Sequence, residues 1–159
     1  MKKFDKNLSK KEMILCSACL LGIKCRYDAR QKPNRKVLKL AKKKILIPIC
    51  PEQLGGLETP REPAEIVGGE GKDVLEGKAK VITESGKDVT KNFILGAKEV
   101  LKIARILNIK KAILKQKSPS CGNGKIYDGS FSRKVKKGDG VTTALLKKNG
   151  IEVISEKTL

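Results

Sequence analysis

The sequence predicts an α/β fold, a single domain with a mostly parallel, Rossmann-like sheet of about four strands flanked by helices and a small accessory hairpin. Three observations predict it. Short apolar runs alternate with helical stretches in the order β-α-β-insert-α-β-α-β. The longest helical stretch carries Phe93, Ala97, Val100, Leu101 and Ala104 on one face, as a helix covering a sheet should. A chain of 159 residues is long enough to bury one such core.

Residues 1–12 are polar and read as a flexible N-terminus, leaving residues 13–159 as the α/β domain. Met13 to Ala18 is a short apolar run and forms the first buried strand. Asn34 caps a helix over Arg35 to Lys43, whose apolar face holds Val37, Leu38 and Ala41. Ile45 to Ile49 is the second strand; Pro48 lacks an N–H and belongs near a strand end or on an edge. A Gly- and Pro-bearing insert follows, in which Ala79 to Thr83 pairs with Ala64 to Val67. Lys91 to Asn108 is the long helix, and Lys111 to Lys115 is the third strand. A polar loop spans Gln116 to Gly138. Asp139 caps a last helix over Gly140 to Lys148, Gly150 stops it, and Ile151 to Ile154 is the fourth strand.

Composition narrows the chemistry. No run approaches the roughly 20 apolar residues of a membrane helix, and the charged start has no apolar stretch behind it. The expected compartment is the cytoplasm, where five cysteines are metal ligands or redox groups rather than disulfides. The chain has no histidine, which excludes Ser-His-Asp and Cys-His catalysis and any imidazole-bound zinc. The net charge of +19 favours anions. Yet arginine occurs only at 26, 30, 35, 61, 105 and 133, and aromatics make up 3% of the chain. Nucleic acids are bound through Arg forks and stacked rings, so nucleic-acid binding is not the favoured reading.

Placed on this map, the cysteines converge. Cys19 lies just past strand one, Cys50 at the end of strand two, and Cys121 a few residues past strand three. Parallel sheets bind ligands outside the carboxyl ends of their strands, where strand order reverses. Thiolates select zinc, Cu(I) or iron–sulfur clusters. Structural zinc usually takes two CxxC knuckles. The one CxxC here, Cys16 to Cys19, straddles a strand end and points its thiols to opposite faces. A cluster on three cysteines leaves one iron free to bind substrate as a Lewis acid. Cys16 reads as a buried small hydrophobe. Cys25 is ambiguous between fourth ligand, persulfide carrier and bystander.

Other groups flank these thiols. Glu52 follows Cys50 and Pro51 and is a candidate general base on water. The hydroxyls of Ser118-Pro119-Ser120 are placed to orient water or substrate, or to form a turn. Gly122-Asn123-Gly124 permits close backbone approach and N–H donation to a cluster or substrate. Lys115 and Lys117 are candidates to offset cluster charge. Gly138-Asp139-Gly140 is half a dinucleotide fingerprint, but it follows a loop rather than a strand.

Several ordered segments carry a family likeness: Ser17-Ala18-Cys19-Leu20-Leu21-Gly22 with Cys25-Arg26-Tyr27-Asp28; Cys50-Pro51-Glu52 with Gly55-Gly56-Leu57; Thr59-Pro60-Arg61-Glu62-Pro63-Ala64-Glu65-Ile66; Lys117-Ser118-Pro119-Ser120-Cys121-Gly122; Ile126-Tyr127-Asp128-Gly129; and Gly138-Asp139-Gly140-Val141-Thr142. Together they resemble the thiouracil desulfurase (TudS) or YbbK-like family, over residues 13 to 156. The resemblance implies a cytoplasmic bacterial or archaeal enzyme with a 4Fe–4S cluster. Its ligands fall on Cys19, Cys50 and Cys121, its catalytic glutamate on Glu52, and its catalytic serine on Ser118 ahead of Ser120. It also implies conversion of 2-thiouracil, a small thiolated pyrimidine, to uracil and hydrogen sulfide. The expected reaction is non-redox, with substrate sulfur on the open iron and Glu52-assisted attack by water. The rival expectations are an RNA-binding or sulfur-delivery module acting on thiolated tRNA, and a zinc-stabilised structural domain. Either a monomer or a homodimer fits.

Overall fold

The computed structural model describes residues 11–159, so the first ten residues of the expected loose N-terminus lie outside the described residues. Four parallel strands form the main sheet: β1 (Met13–Ser17), β2 (Ile45–Ile49), β5 (Lys111–Leu114) and β8 (Glu152–Ser155). Their spatial order is β2-β1-β5-β8, which puts β2 with Pro48 on an edge, where the missing N–H costs no ladder bond. Helices α1 (Arg35–Leu40), α4 (Thr90–Ile106) and α5 (Val141–Lys148) cover the sheet. Side chains alternate across β1: Leu15 shares one core cluster with Val100 and Leu101 of α4 and Leu146 of α5. Ile14 and Cys16 share the opposite cluster with Val37 of α1. Burying each such aliphatic side chain contributes about 1.5–3 kcal/mol. At the far end of the sheet Glu12 reaches Lys44 at 2.8 Å and Lys111 at 3.0 Å, tying together the starts of three strands.

The insert is more ordered than its composition suggests. β3 (Ala64–Val67) and β4 (Lys80–Thr83) form the expected antiparallel pair, Ala64 facing Thr83 and Val67 facing Lys80. Two short helices flank it, α2 (Pro51–Leu54) and α3 (Gly71–Leu75). The polar stretch expected as a loop over 116–138 contains a second hairpin, β6 (Lys125–Tyr127) with β7 (Val135–Lys137). Three-residue strands with one fully buried side chain, Ile126, leave little period-2 signal to read.

Helix boundaries also differ: the long helix α4 runs Thr90–Ile106 rather than Lys91 to Asn108, and α1 and α5 depart at one end each. Asn34 caps α1 as expected, accepting N–H bonds from Lys36 at 3.0 Å and Val37 at 3.2 Å, but the helix stops at Leu40. Asp139 does not cap α5. The cap residue is Gly140, and the Asp139 carboxylate instead accepts from Gly124 N at 2.8 Å and pairs with Lys147. Gly140 packs its Cα against the Ser120 carbonyl, which explains the Gly-Asp-Gly run as close packing rather than phosphate binding.

Helix α2, which follows Cys50 and carries Glu52, lies backbone-to-backbone on α4. A Cβ on Gly96 would overlap the Pro51 carbonyl, and one on Gly55 would overlap the Asn92 carbonyl. The Asn92 amide donates to Gly55 O at 2.9 Å, fixing the crossing. Gly96→Ala is therefore expected to destabilise the protein by about 2 kcal/mol despite the better helix propensity of alanine. Thermal unfolding measures this, and a Tm at or above that of the parent chain would contradict the close crossing.

Candidate active site

The strand order reverses between β1 and β5, and a cleft of about 1060 Å³ opens at that end of the sheet. Ser17, the last residue of β1, accepts the Lys115 N–H through its hydroxyl at 2.9 Å and so ties the two strands where the chain leaves them. Cys19, Cys25, Cys50, Glu52, Ser118 and Cys121 all line the cleft.

Each thiol has its own mounting. After β1 the chain tightens into a 3₁₀ turn (Ala18–Leu21) that ends at Gly22, in the left-handed conformation glycine supplies cheaply. Cys19 therefore leaves the strand's alternation, packs in the same cluster as Cys16, and still reaches the cleft, which Cys16 does not line. Cys50 is the cap residue of α2, with Pro51 at the first helical position where its missing N–H is harmless. Its Sγ lies 3.5 Å from Glu52 Oε2 and 3.6 Å from the Cys25 carbonyl. That carbonyl also accepts from the Arg61 guanidinium at 3.1 Å, while Arg61 N donates to Tyr27 O at 2.8 Å. Arg61 thus pins the Cys25 loop to the insert.

Cys121 is buried in a turn plugged onto α5. Ser118 Oγ accepts from Ser120 N at 3.1 Å and Cys121 N at 3.0 Å. The first amides of α5, Val141 and Thr142, donate to the carbonyls of Pro119 and Ser120 at 2.9 Å each. Thr143 Oγ1 donates to Cys121 O at 2.9 Å. The helix end that needs acceptors is satisfied by the turn that needs anchoring.

The sulfurs sense one another. The thiols of Cys19 and Cys50 lie beside that of Cys25, and the Cys19 thiol is the main cause that lifts Cys25 to about 11. Cys50 is raised first by its bond to Cys25, then by burial and by the Glu52 charge. Burial is the main cause raising Cys121, followed by Glu52, with the hydroxyls of Ser17 and Ser120 opposing. Thiols packed this way become good thiolate ligands when a bound cationic centre offsets the burial. The donor set is sulfur throughout, as a thiophilic centre requires. Among the described residues, no three Cys, Asp or Glu side chains close tightly enough on one point to hold a single metal ion. In a cubane each thiolate binds a different iron, so its ligands need not converge on one point.

The structure brings together Cys19, Cys50, Cys121, Glu52 and Ser118. Ser118 Oγ donates to Glu52 Oε1 at 3.4 Å. Ser120 lies elsewhere: fully buried, it shares a hydrogen bond with Thr142 Oγ1 at 2.7 Å. The amides of Gly122, Asn123 and Gly124 do not face a cluster or substrate. They donate to Ser118 O, Gln116 Oε1 and Asp139 Oδ1, and a Cβ on Gly122 would meet Ile126 and the backbone of Ser118 and Lys125. Lys115 is committed to Glu156 at 2.8 Å, while Lys117 sits exposed at the rim. Cys25, ambiguous in sequence, joins the thiol group. Arg61 and Thr143 were not foreseen. Arg61 stands in a motif that gives no hint of which carbonyl it reaches, and a helical Thr carries no site signal.

A cleft at a strand-order reversal, walled by four cysteines and holding a carboxylate beside a thiol, is the arrangement of a thiol-rich α/β enzyme. The family model for 2-thiouracil desulfurase matches residues 14–158, and the chain belongs to this family of sulfur-removing enzymes. It is 53% identical over 147 residues to the uncharacterized protein YbbK of Bacillus subtilis strain 168, covering 92% of this chain and 97% of that protein. It also resembles a solved structure of the 4Fe–4S-dependent thiouracil desulfidase TudS (DUF523Vcz), with a TM-score of 0.82 and 44% identity, covering 94% of this chain and 93% of that one. Among the described residues no helix is long and apolar enough to cross a membrane.

Proposed function

We propose that the protein is a 4Fe–4S-dependent desulfidase that exchanges the sulfur of a thiolated pyrimidine such as 2-thiouracil for oxygen from water, releasing uracil and hydrogen sulfide. The observation that carries this reading is the Glu52 carboxylate, one oxygen 3.5 Å from Cys50 Sγ and the other 3.4 Å from Ser118 Oγ. Cys19, Cys50 and Cys121 would hold the cluster, and when bound it supplies a Lewis-acidic iron that polarises the thiocarbonyl. The residues do the proton work. Glu52 takes a proton from the attacking water, which makes oxygen the nucleophile at the carbon that carried sulfur. Ser118 donates to the other carboxylate oxygen, and its own turn fixes the donor's position. No electron is gained or lost overall, since water replaces sulfide at carbon. All five cysteines are free thiols, which suits the reducing cytoplasm we assign to it.

The test is anaerobic reconstitution with iron and sulfide, followed by incubation with 2-thiouracil and assay of uracil and sulfide. Appearance of neither product, from 2-thiouracil or other thiolated pyrimidines, would sink the reading. Ser118→Ala is expected to lower kcat by about tenfold or more, with Ser118→Thr retaining most activity because its hydroxyl can still hold Glu52. Steady-state kinetics at equal iron content measures this, and an unchanged kcat in the alanine variant would remove Ser118 from the machinery.

A further inference from the structure

Two stretches of chain that the mechanism leaves unused, Pro63-Ala64-Glu65-Ile66 and Tyr127-Asp128-Gly129, meet in space beside the cleft. Glu65 sits on β3 and is only 7% exposed. One of its oxygens, Oε2, accepts the N–H groups of both Gly129 at 2.8 Å and Phe131 at 3.1 Å. These belong to the tip of the β6–β7 hairpin. The tip holds Gly129, Phe131 and Arg133 at φ of 92°, 57° and 63°. For Phe and Arg that left-handed backbone costs about 1 kcal/mol or more each, and it persists where surrounding contacts impose it. Gly129 lies flat on β3: a Cβ there would press on Ile66 O. The tip is therefore fastened to the hairpin beneath it through a carboxyl group, and among the described residues no Lys or Arg pairs with Glu65.

What the clasp presents is aromatic. The chain has five aromatic residues, and four of them, Tyr27, Phe93, Tyr127 and Phe131, line the cleft. Phe93 is 2% exposed and belongs to the core. Phe131 is half-buried on the tip itself, and its own N–H is one of the two the clasp holds. A flat heteroaromatic ring is best gripped by stacking on such a face.

We propose that the tip at residues 129–133 is the substrate-recognising wall of the cleft, with Phe131 as the ring that stacks on the pyrimidine and Glu65 as the positioning residue that holds it there. This rests on the desulfidase reading above for its substrate class. Phe131 sets KM and leaves the chemistry at Glu52 untouched. Glu65 acts only through the two N–H groups it accepts.

The experiment uses the reconstituted holoenzyme and 2-thiouracil, comparing KM and kcat. Phe131→Leu, which keeps bulk and loses the ring, should raise KM about fivefold, the worth of one aromatic pair, with kcat within about twofold. Phe131→Tyr should restore the parent KM. Glu65→Ala should raise KM at least as much and speed amide exchange at residues 129 and 131, whereas Glu65→Gln, whose amide oxygen still accepts both bonds, should stay near the parent in both. Parent-like KM in Phe131→Leu and Glu65→Ala, with the parent active, would overturn the recognition role and leave the desulfidase reading standing. Equal KM changes in Phe131→Leu and Phe131→Tyr would overturn stacking. If the parent itself converts no 2-thiouracil, the desulfidase reading falls and the recognition role with it, and the exchange data still report whether the clasp exists.

Discussion

Glu52→Gln is expected to cut desulfuration at least 100-fold while leaving iron content and visible absorption at the parent level. The substitution is nearly isosteric, and glutamine can keep its oxygen toward Ser118 Oγ, 3.4 Å away in the parent. It cannot accept a proton from water. General-base catalysis by a positioned side chain contributes about 10²- to 10⁴-fold, so kcat should fall by at least 100-fold, or about 2.7 kcal/mol in the barrier. The fold should suffer little. Glu52 lies in the first turn of α2, where a negative charge is favoured by about 0.3–1 kcal/mol, and that is the stability at stake. Glu52→Asp retracts the carboxylate by one methylene from both Cys50 and Ser118 and should fall between parent and Gln. Uracil and sulfide release, normalised to bound iron, decide the matter. A Glu52→Gln enzyme with more than a tenth of parent kcat would mean that the base is elsewhere.

The convergence of Cys19, Cys50 and Cys121 was legible in the sequence because it follows from topology. Once β1, β2 and β5 are parallel and adjacent, residues just past their ends share one edge. Glu52 was legible for the same reason, riding two residues behind Cys50. The part that was not legible depends on loop paths. Cys25 reaches the thiol group because a 3₁₀ turn and the Arg61 contact fold its loop inward, and neither follows from periodicity. The β6–β7 hairpin hid in a polar stretch because its strands are short and expose most of their side chains. Asp139 misled for an instructive reason. An acidic residue just ahead of a helix is a capping signal, but here a tertiary donor, Gly124 N, and Lys147 claimed its oxygens. Which of Ser118 and Ser120 lines the cleft needed coordinates, since both stand in one turn and Ser120 is turned away onto Thr142.

The second large effect concerns the cluster itself. Cys50→Ser and Cys121→Ser, and equally Cys19→Ser, should each lose the brown colour and most of the bound iron after anaerobic reconstitution. A serine hydroxyl is a hard, poorly ionised donor, so a three-point thiolate anchor loses one of its points. The proteins should stay folded, because the Cys121 turn is held by Ser118, Val141 and Thr142 through backbone bonds that do not involve its sulfur. Cys16→Ala is the control. Cys16 is fully buried, burial alone lifts its thiol to about 12, and it does not line the cleft, so iron binding should be unchanged. Cys25→Ser is the discriminating variant. Its thiol lies beside those of Cys19 and Cys50, and it lines the same cleft, so it stands close enough to compete for an iron. With Cys19, Cys50 and Cys121 as ligands, Cys25→Ser keeps the parent's iron and colour, and an iron-depleted Cys25→Ser protein would instead place Cys25 in the ligand set. A cluster retained in Cys50→Ser or Cys121→Ser would break the three-cysteine assignment, and with it the proposed route by which the thiocarbonyl is activated.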